Sequence, residues 1–373
     1  MKKSFLLLSA AAALVALAAC NKTEAVSSVP EGTRADVVVS IAGAGTKATT
    51  SDTANEAKVS NLQVFIFRGD ALDAYGSADD KTSVTLSATT GERTVYALVN
   101  CPSMSSVSSL AALQATISSL GLKSGGAYVN KDGDHFEMVG SLVHTIVASD
   151  VTDGINVPVD RLAARVKIDK ITRDFSRVSG ESSALAQLEA SKFKIVKMYL
   201  GSAVDNAKYG AYTSGAHKVG APATYTWYNS TLNGDKSALQ TDFPLVYDKL
   251  ATAATLAEDG SYSTSHSFYC YPNPTTEDGA SARVTRLVIE CEIDGDYYTY
   301  PILLSTGVLN NHSYQINELV ITRLGNPSNG DDKIDEGEDE PVTALSIPFG
   351  ITVQDWEQVF VTSSGQSDGV VVI

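Results

Sequence analysis

The side chains able to do chemistry are few and scattered. The five histidines, His135, His144, His217, His266 and His312, form no His-x-x-x-His or Glu-x-x-His pair of the kind that grips a metal from one helix face. Gly43-Ala44-Gly45-Thr46-Lys47 lacks the spacing of a phosphate-binding loop. The run Asp331 to Glu340 carries seven acids around Lys333, Ile334 and Gly337 but not the spaced ligands of an EF-hand, so it reads as a solvated acidic loop. His312, beside a strand-like stretch, reads as a hydrogen-bonding group at a turn. Catalysis, cofactor binding and metal binding are therefore not expected: the pattern is that of a protein that is not an enzyme.

Cysteine chemistry points elsewhere. Lys2-Lys3 is a basic start, Phe5 to Ala16 is apolar, and Leu17-Ala18-Ala19-Cys20 closes the stretch with small residues before a thiol. The apolar run is too short to span a bilayer and is followed by the polar Asn21-Lys22-Thr23-Glu24. The box resembles that of bacterial lipoproteins, in which the cysteine is acylated; lipid on Cys20 would tether an exported chain, each buried methylene adding roughly 0.8 kcal/mol. Cys101, Cys270 and Cys291 match no zinc pattern. They leave open a Cys270–Cys291 disulfide or buried free thiols. The formal net charge of −15 becomes −17 once Lys2 and Lys3 leave with the leader, which disfavours nucleic acid and anionic lipid as partners.

Backbone chemistry is the remaining candidate, and it centres on the first strand after the leader. In Ala35 to Ala44, Val37, Val39 and Ile41 alternate with Val38 and Ser40, the period of a strand with one face against a core. Small polar residues follow through Thr46, Lys47 and Ala48 to Ser51, a stretch open to a protease. The far end of the chain has the complementary character. Leu345, Ile347, Phe349, Ile351 and Val353 share one parity, Val359 and Val361 follow Trp356, and Val370-Val371-Val372-Ile373 ends the chain. An apolar strand at a terminus is an aggregation hazard unless a partner takes it. The reading is a first strand (Val37, Val39, Ile41) removed by cleavage at Lys47, with Arg34 the fallback site, and a donor strand (Val359, Val361, Val370, Val372) that replaces it in another copy. Leu345 to Val353 reads equally as a strand closing its own sandwich.

Elements that would position these strands are mostly strands themselves. Leu62 to Phe67, Ser83 to Leu86, Arg93 to Val99, Ala164 to Ile168, Phe193 to Leu200, Arg286 to Ile293 and Tyr297 to Leu304 are short, β-branched or aromatic, and bounded by Gly, Asn, Asp and Ser. The spacing of Met104, Val107, Leu110, Leu113, Ile117 and Leu120 predicts one amphipathic helix, and Ser183 to Phe193 a shorter second one. The fold class is all-β. Gly201 to Thr241 forms a long insertion whose Tyr209, Tyr212, Tyr225, Trp227 and Tyr228 read as a small core of their own, with glycan or protein binding as the alternative.

These residues carry a resemblance to the FimA-type fimbrillins of Bacteroidales type V pili. It rests on the Cys20-Asn21-Lys22 leader box, Val59 to Phe67, Val95 to Pro102, Phe136 to Gly140, Arg161 to Val166, Leu309 to Ile316 with Ile321 to Gly325, and Val353 to Trp356, in that order. The resemblance implies two transthyretin-like β-sandwich domains with one or two short helices. It also implies an outer-membrane lipoprotein precursor, a processing protease, and assembly with copies of itself or related pilin subunits at the cell surface. Family subunits are cut after arginine, where this chain has Lys47. The expected division is a signal peptide 1–19, a propeptide 20–47, an N-terminal domain 48–160 and a C-terminal domain 161–373. The alternative is a tip or accessory adhesin, or a glycan-binding surface lipoprotein, of the same fold.

Overall fold

The computed structural model describes residues 32–42, 56–175, 192–210, 220–232, 237–257 and 260–342, with the backbone of 358–360 and 370–372. Cys20, Lys47, Val361, Leu345 to Trp356, Tyr212 and the second expected helix up to residue 191 lie outside the described residues. The first half contains β1 (Arg34–Ala42), β2 (Asn61–Arg68), β3 (Ala71–Asp79), β4 (Ser83–Thr89), β5 (Gly91–Val99), α1 (Leu110–Ala115), β6 (Met138–Ile146), α2 (Asp150–Asp153) and β7 (Ile155–Pro158). A three-stranded sheet runs β7-β1-β4. It faces a five-stranded sheet in which the short strand Asp160–Arg161 is followed by β6-β5-β2-β3.

Sequence dictates this pairing through parity. Leu62, Val64 and Ile66 of β2, with Val95, Ala97 and Val99 of β5, point into the core shared with β1, β4 and β7. Phe65 and Phe67, one residue out of step, point to the opposite face, where Tyr96 and Leu98 join a larger core reaching into the second half. Because both faces of β2 are covered, the strand is a near-continuous apolar run rather than an alternating one.

The second half contains β8 (Ala164–Arg173), β9 (Phe193–Gly201), β10 (Tyr247–Thr255), β11 (Ser261–Cys270), β12 (Arg286–Ile293), β13 (Asp296–Leu303), β14 (Ser313–Ile316), β15 (Glu318–Ile321), β16 (Gln358–Phe360) and β17 (Val370–Val372). β8 pairs antiparallel with β11 and, in parallel, with β14 and then β15. The other sheet runs β10-β9-β12-β13 and ends on the short strand Asn326–Ser328. Glu56, just before β2, is fully buried in this half: its carboxylate takes the Arg165 guanidinium at 2.9 and 3.1 Å, and its backbone oxygen takes Arg161 Nε at 3.0 Å.

One expectation, the long helix, is corrected. The helix predicted from Met104 to Leu120 shrinks to the six residues of α1, capped by Ser109 Oγ accepting from Ala112 N. Ile117–Ser119 is instead a strand, paired antiparallel with Asn206–Lys208. A partner about ninety residues away thus overrides the local helical spacing. Cys270 and Cys291 sit in different sheets, and the described cysteines Cys101, Cys270 and Cys291 are free and buried. Among the described residues no helix is long and apolar enough to cross a membrane.

Candidate functional site

β1 is the middle strand of its sheet. Arg34 to Ser40 pair antiparallel with Thr89 to Ser83 of β4. Val39 to Ala42 pair in parallel with Ile155 to Pro158 of β7. Val37 and Val39 have no exposed surface, and Ile41 packs partly buried on the same cluster. Their seats are formed by Val84, Leu86 and Ala88 on one side, Ile155 and Val157 on the other, and β2 and β5 beneath. Without β1, the first half would hold an apolar slot flanked by two unpaired strand edges.

Both ends of the strand are fastened. At its start, Gly32 N donates to Thr90 O at 3.1 Å, Thr90 N to Thr33 O at 2.9 Å, and Arg34 Nη1 to Ser87 O at 2.9 Å. The Thr89–Thr90 turn that receives them is held by Asp73, whose Oδ2 accepts from Thr89 N and Thr89 Oγ1, each at 2.7 Å. Arg93 completes the turn, donating to Thr90 O at 2.7 Å while its Nε lies 3.4 Å from Asp73. Burial alone would raise the Asp73 carboxyl, but the bonds from Thr89 and Arg93 outweigh it and hold the group below its ordinary value. At the strand's far end, Ile41 N donates to Thr82 O at 3.0 Å and Val159 N to Ala42 O at 3.1 Å.

α2 sets the height of β7. Asp150 accepts from Val147 N at 2.8 Å and lies 3.0 Å from His144 Nε2, closing the turn after β6. Gly154 then turns the chain into β7 with φ of 72°, a conformation that favours glycine, beside the Val38 carbonyl.

The expected donor residues lie elsewhere. Among those described, Val359 pairs in parallel opposite Tyr314, and Val370 and Val372 opposite Glu318 and Val320, so they rest against β14 and β15 of the chain's own second half. Arg34, the fallback cleavage residue, is the first residue of β1, and its peptide lies inside the ladder.

Three surface features resolve differently from one another. The acidic run is only partly a solvated loop: Asp331, Glu336 and Glu340 are exposed, but Glu338 and Asp339 are buried, and Asp339 accepts from Thr231 Oγ1 at 3.0 Å while its backbone oxygen takes Arg286. Nearby, Asp332 meets Lys249 at 3.1 Å. Arg283 meets Asp339 at 3.5 Å and Glu340 at 2.8 Å, so three of the carboxylates are held by cations 56 to 83 residues distant in sequence, which no local pattern displays. The described aromatics of the insertion join the main core rather than forming a small core of their own, with Tyr209 buried in it and Tyr225, Trp227 and Tyr228 half-buried against it. His312 Nδ1 lies 2.5 Å from Asn310 O at a buried turn.

Sequence reasoning missed one group, Glu137. It is buried where the two halves meet, accepting from Tyr209 Oη at 2.8 Å. Burial pushes its carboxyl up to about 7, against the lowering effect of hydrogen bonds from Ser118, Tyr209 and Cys101. An acid inside the apolar stretch Phe136 to Val139 is the signal that marks it. Among the described residues no group of three or more His, Cys, Asp or Glu side chains could hold a metal ion.

Residues 35–150, which run from β1 into α2, match the model of the family described as major fimbrial subunit protein (FimA). No curated protein matches the chain. Among solved structures, a candidate cell adhesion protein from Bacteroides eggerthii superposes with a TM-score of 0.56 at 18% identity, over 88% of this chain and 98% of that one. A fimbrilin (FimA) from Porphyromonas gingivalis gives 0.53 at 16% identity, over 79% and 92%. A candidate cell adhesion protein from Parabacteroides distasonis gives 0.54 at 16% identity, over 88% and 99%. At these identities the likeness is one of fold.

Proposed function

We propose that the chain is a structural subunit of a cell-surface fimbria of the type V pilus kind. It is exported as a lipoprotein through Cys20, cut near Lys47, and polymerised when the C-terminal strand of one copy enters the slot left by β1 in another. The single observation that carries this reading is the position of β1: a strand at the start of the chain, hydrogen-bonded on both sides, with Val37 and Val39 fully buried. The FimA match over 35–150 and the fimbrilin fold support the broader statement, a fimbrial structural or adhesion subunit.

Magnitudes favour exchange over simple loss. Each buried valine contributes roughly 1.5 to 3 kcal/mol, so removing two exposes about 3 to 6 kcal/mol of apolar surface, a large part of a domain's whole stability. An incoming strand restores that burial and pairs the edges of β4 and β7. Val359 to Val372 suits the role better than Leu345 to Val353, because Pro348 has no N–H to offer a slot bonded on both sides. The resting hold on β16 and β17 is slight, three paired residues each on one sheet edge, so release is cheap.

Lys47 fits the cut better than Arg34. Cleavage at Arg34–Ala35 would require opening a paired strand and would leave Val37 to Ile41 in place. Under this reading the leader 1–19 and propeptide 20–47 are lost, and domains 48–160 and 161–373 remain in a filament at the outer membrane surface. Lys47→Ala tests the scheme: the variant should stay an unprocessed, folded monomer, and normal filaments from it would refute the assigned site.

A further inference from the structure

A cleft of about 320 Å³ opens beside Glu137, walled by the first half and closed by Tyr271 of the second. Its floor carries two side-chain acceptors, Asn61 and Glu137, on either side of Asn100, whose own Oδ1 is taken by Ser60 N. The register that aligns Leu62 with Val99 and Val99 with Met138 puts Asn61, Asn100 and Glu137 in the adjoining row. Asn61 Oδ1 is buried without a hydrogen-bond partner. Glu137 receives the hydroxyl of Tyr209 at 2.8 Å, and the Ser118 hydroxyl, which also meets Tyr271 Oη at 2.6 Å, and the Cys101 thiol face it.

No cationic side chain among the described residues pairs with Glu137, and the charged groups nearby are committed. Asp205 accepts from Ser119 Oγ at 3.0 Å and Gly121 N at 2.8 Å. Lys58 lies 3.5 Å from Asp134, which also holds His135, and Lys123 lies 3.3 Å from Asp242. The mouth, by contrast, is apolar. Leu122 and Val129 are 38% and 46% exposed and bonded across a hairpin, Val129 N to Leu122 O at 2.8 Å. Tyr128 fastens that hairpin by stacking on Phe243, ring centroids 4.0 Å apart.

An acid without a countercharge, an orphaned acceptor on the same wall and an apolar mouth together define a complement. We propose that this cleft binds a small primary ammonium ligand with an apolar body, the ammonium donating to Glu137, the body lying against Leu120, Leu122 and Val129, and Asn61 offering a second acceptor. The site is separate from the β1 slot and stands whether or not the chain polymerises. Burial drives Glu137 up to about 7, and a bound ammonium would favour its ionised form.

The test is calorimetric titration of the full chain lacking its leader with 2-phenylethylammonium and with its neutral counterpart 2-phenylethanol. Saturable one-to-one binding of the amine is expected, weakening as pH falls below about 7 and the carboxyl takes up its proton. The alcohol, and the amine on Glu137→Gln, should bind roughly ten- to hundredfold more weakly, the worth of a charge-assisted hydrogen bond. Val129→Trp, a change at an exposed position, should block the mouth and abolish binding while the fold persists. Absence of saturable heat, equal binding of amine and alcohol, or full binding by either variant overturns the assignment.

Discussion

Val37 and Val39 are the residues on which the slot depends, and their contribution is measurable before any assembly. Val37→Ala and Val39→Ala each delete two buried methyl groups, so each should cost about 2 kcal/mol in denaturant unfolding of the uncut protein. The same substitutions should leave the cut, assembled form unchanged, because β1 has then gone. Equal losses in both forms would mean that the valines never leave. Two acids, one part-buried and one buried, give opposite pH signatures. Asp73 is held below its ordinary value, so its contribution is present above about 3.8 and is lost as pH falls through its folded value; Asp73→Asn should flatten that acid limb. Glu137 is raised from 4.5 to about 7, so the folded state binds the extra proton and stability declines as pH rises across that window. The decline is of order 3 kcal/mol at most, and Glu137→Gln should remove it from a pH series of unfolding curves.

At the scale of elements, strands whose residue order shows one buried face or two were legible, and elements whose local spacing mimics another structure were not. The parity of Val37, Val39 and Ile41 and the apolar run Leu62 to Phe67 announce β1 and β2, because burial on one face or two writes directly into the residue order. The spacing from Met104 to Leu120 suggested a helix, yet Leu113 and Leu120 serve the core from a short helix and a loop, with a strand between. Likewise the acids at 338 and 339 look solvated until Thr231 and Arg283 close on the Asp339 carboxylate and the backbone N–H groups of Asn329 and Asp335 on that of Glu338. The slot itself was visible as a pattern; that β1 would lie between β4 and β7, parallel to one and antiparallel to the other, was not, since strand order is not written in any single segment. Removal of everything after Trp356 takes β16 and β17 but leaves the slot intact. The truncated chain should be processed normally and fail to form ladders on unheated gels; ladders from it would move the donor upstream.

For the whole molecule, the two halves share one large core, from Phe65 and Tyr96 across to Ile168, Ile195 and Leu287, and Glu56 pins the chain between β1 and β2 to Arg165 of the second half. Cutting between Ala42 and Glu56 therefore frees what lies upstream and leaves the body assembled, which is the mechanical requirement of a removable strand. The proposed attachment is a separate property of the leader: Cys20→Ser should move the protein from the membrane fraction to the soluble one, and unchanged fractionation would count against acylation there.

The most direct measurement of the central claim is limited trypsin digestion of the protein lacking its leader, read by N-terminal sequencing and by ladders on unheated gels. One early cut after Lys47 is expected, with none at Arg34 while β1 is paired and ladders that appear only after the cut. A chain that resists cleavage at Lys47, or is cut there and keeps β1 bound without assembling, would contradict that claim.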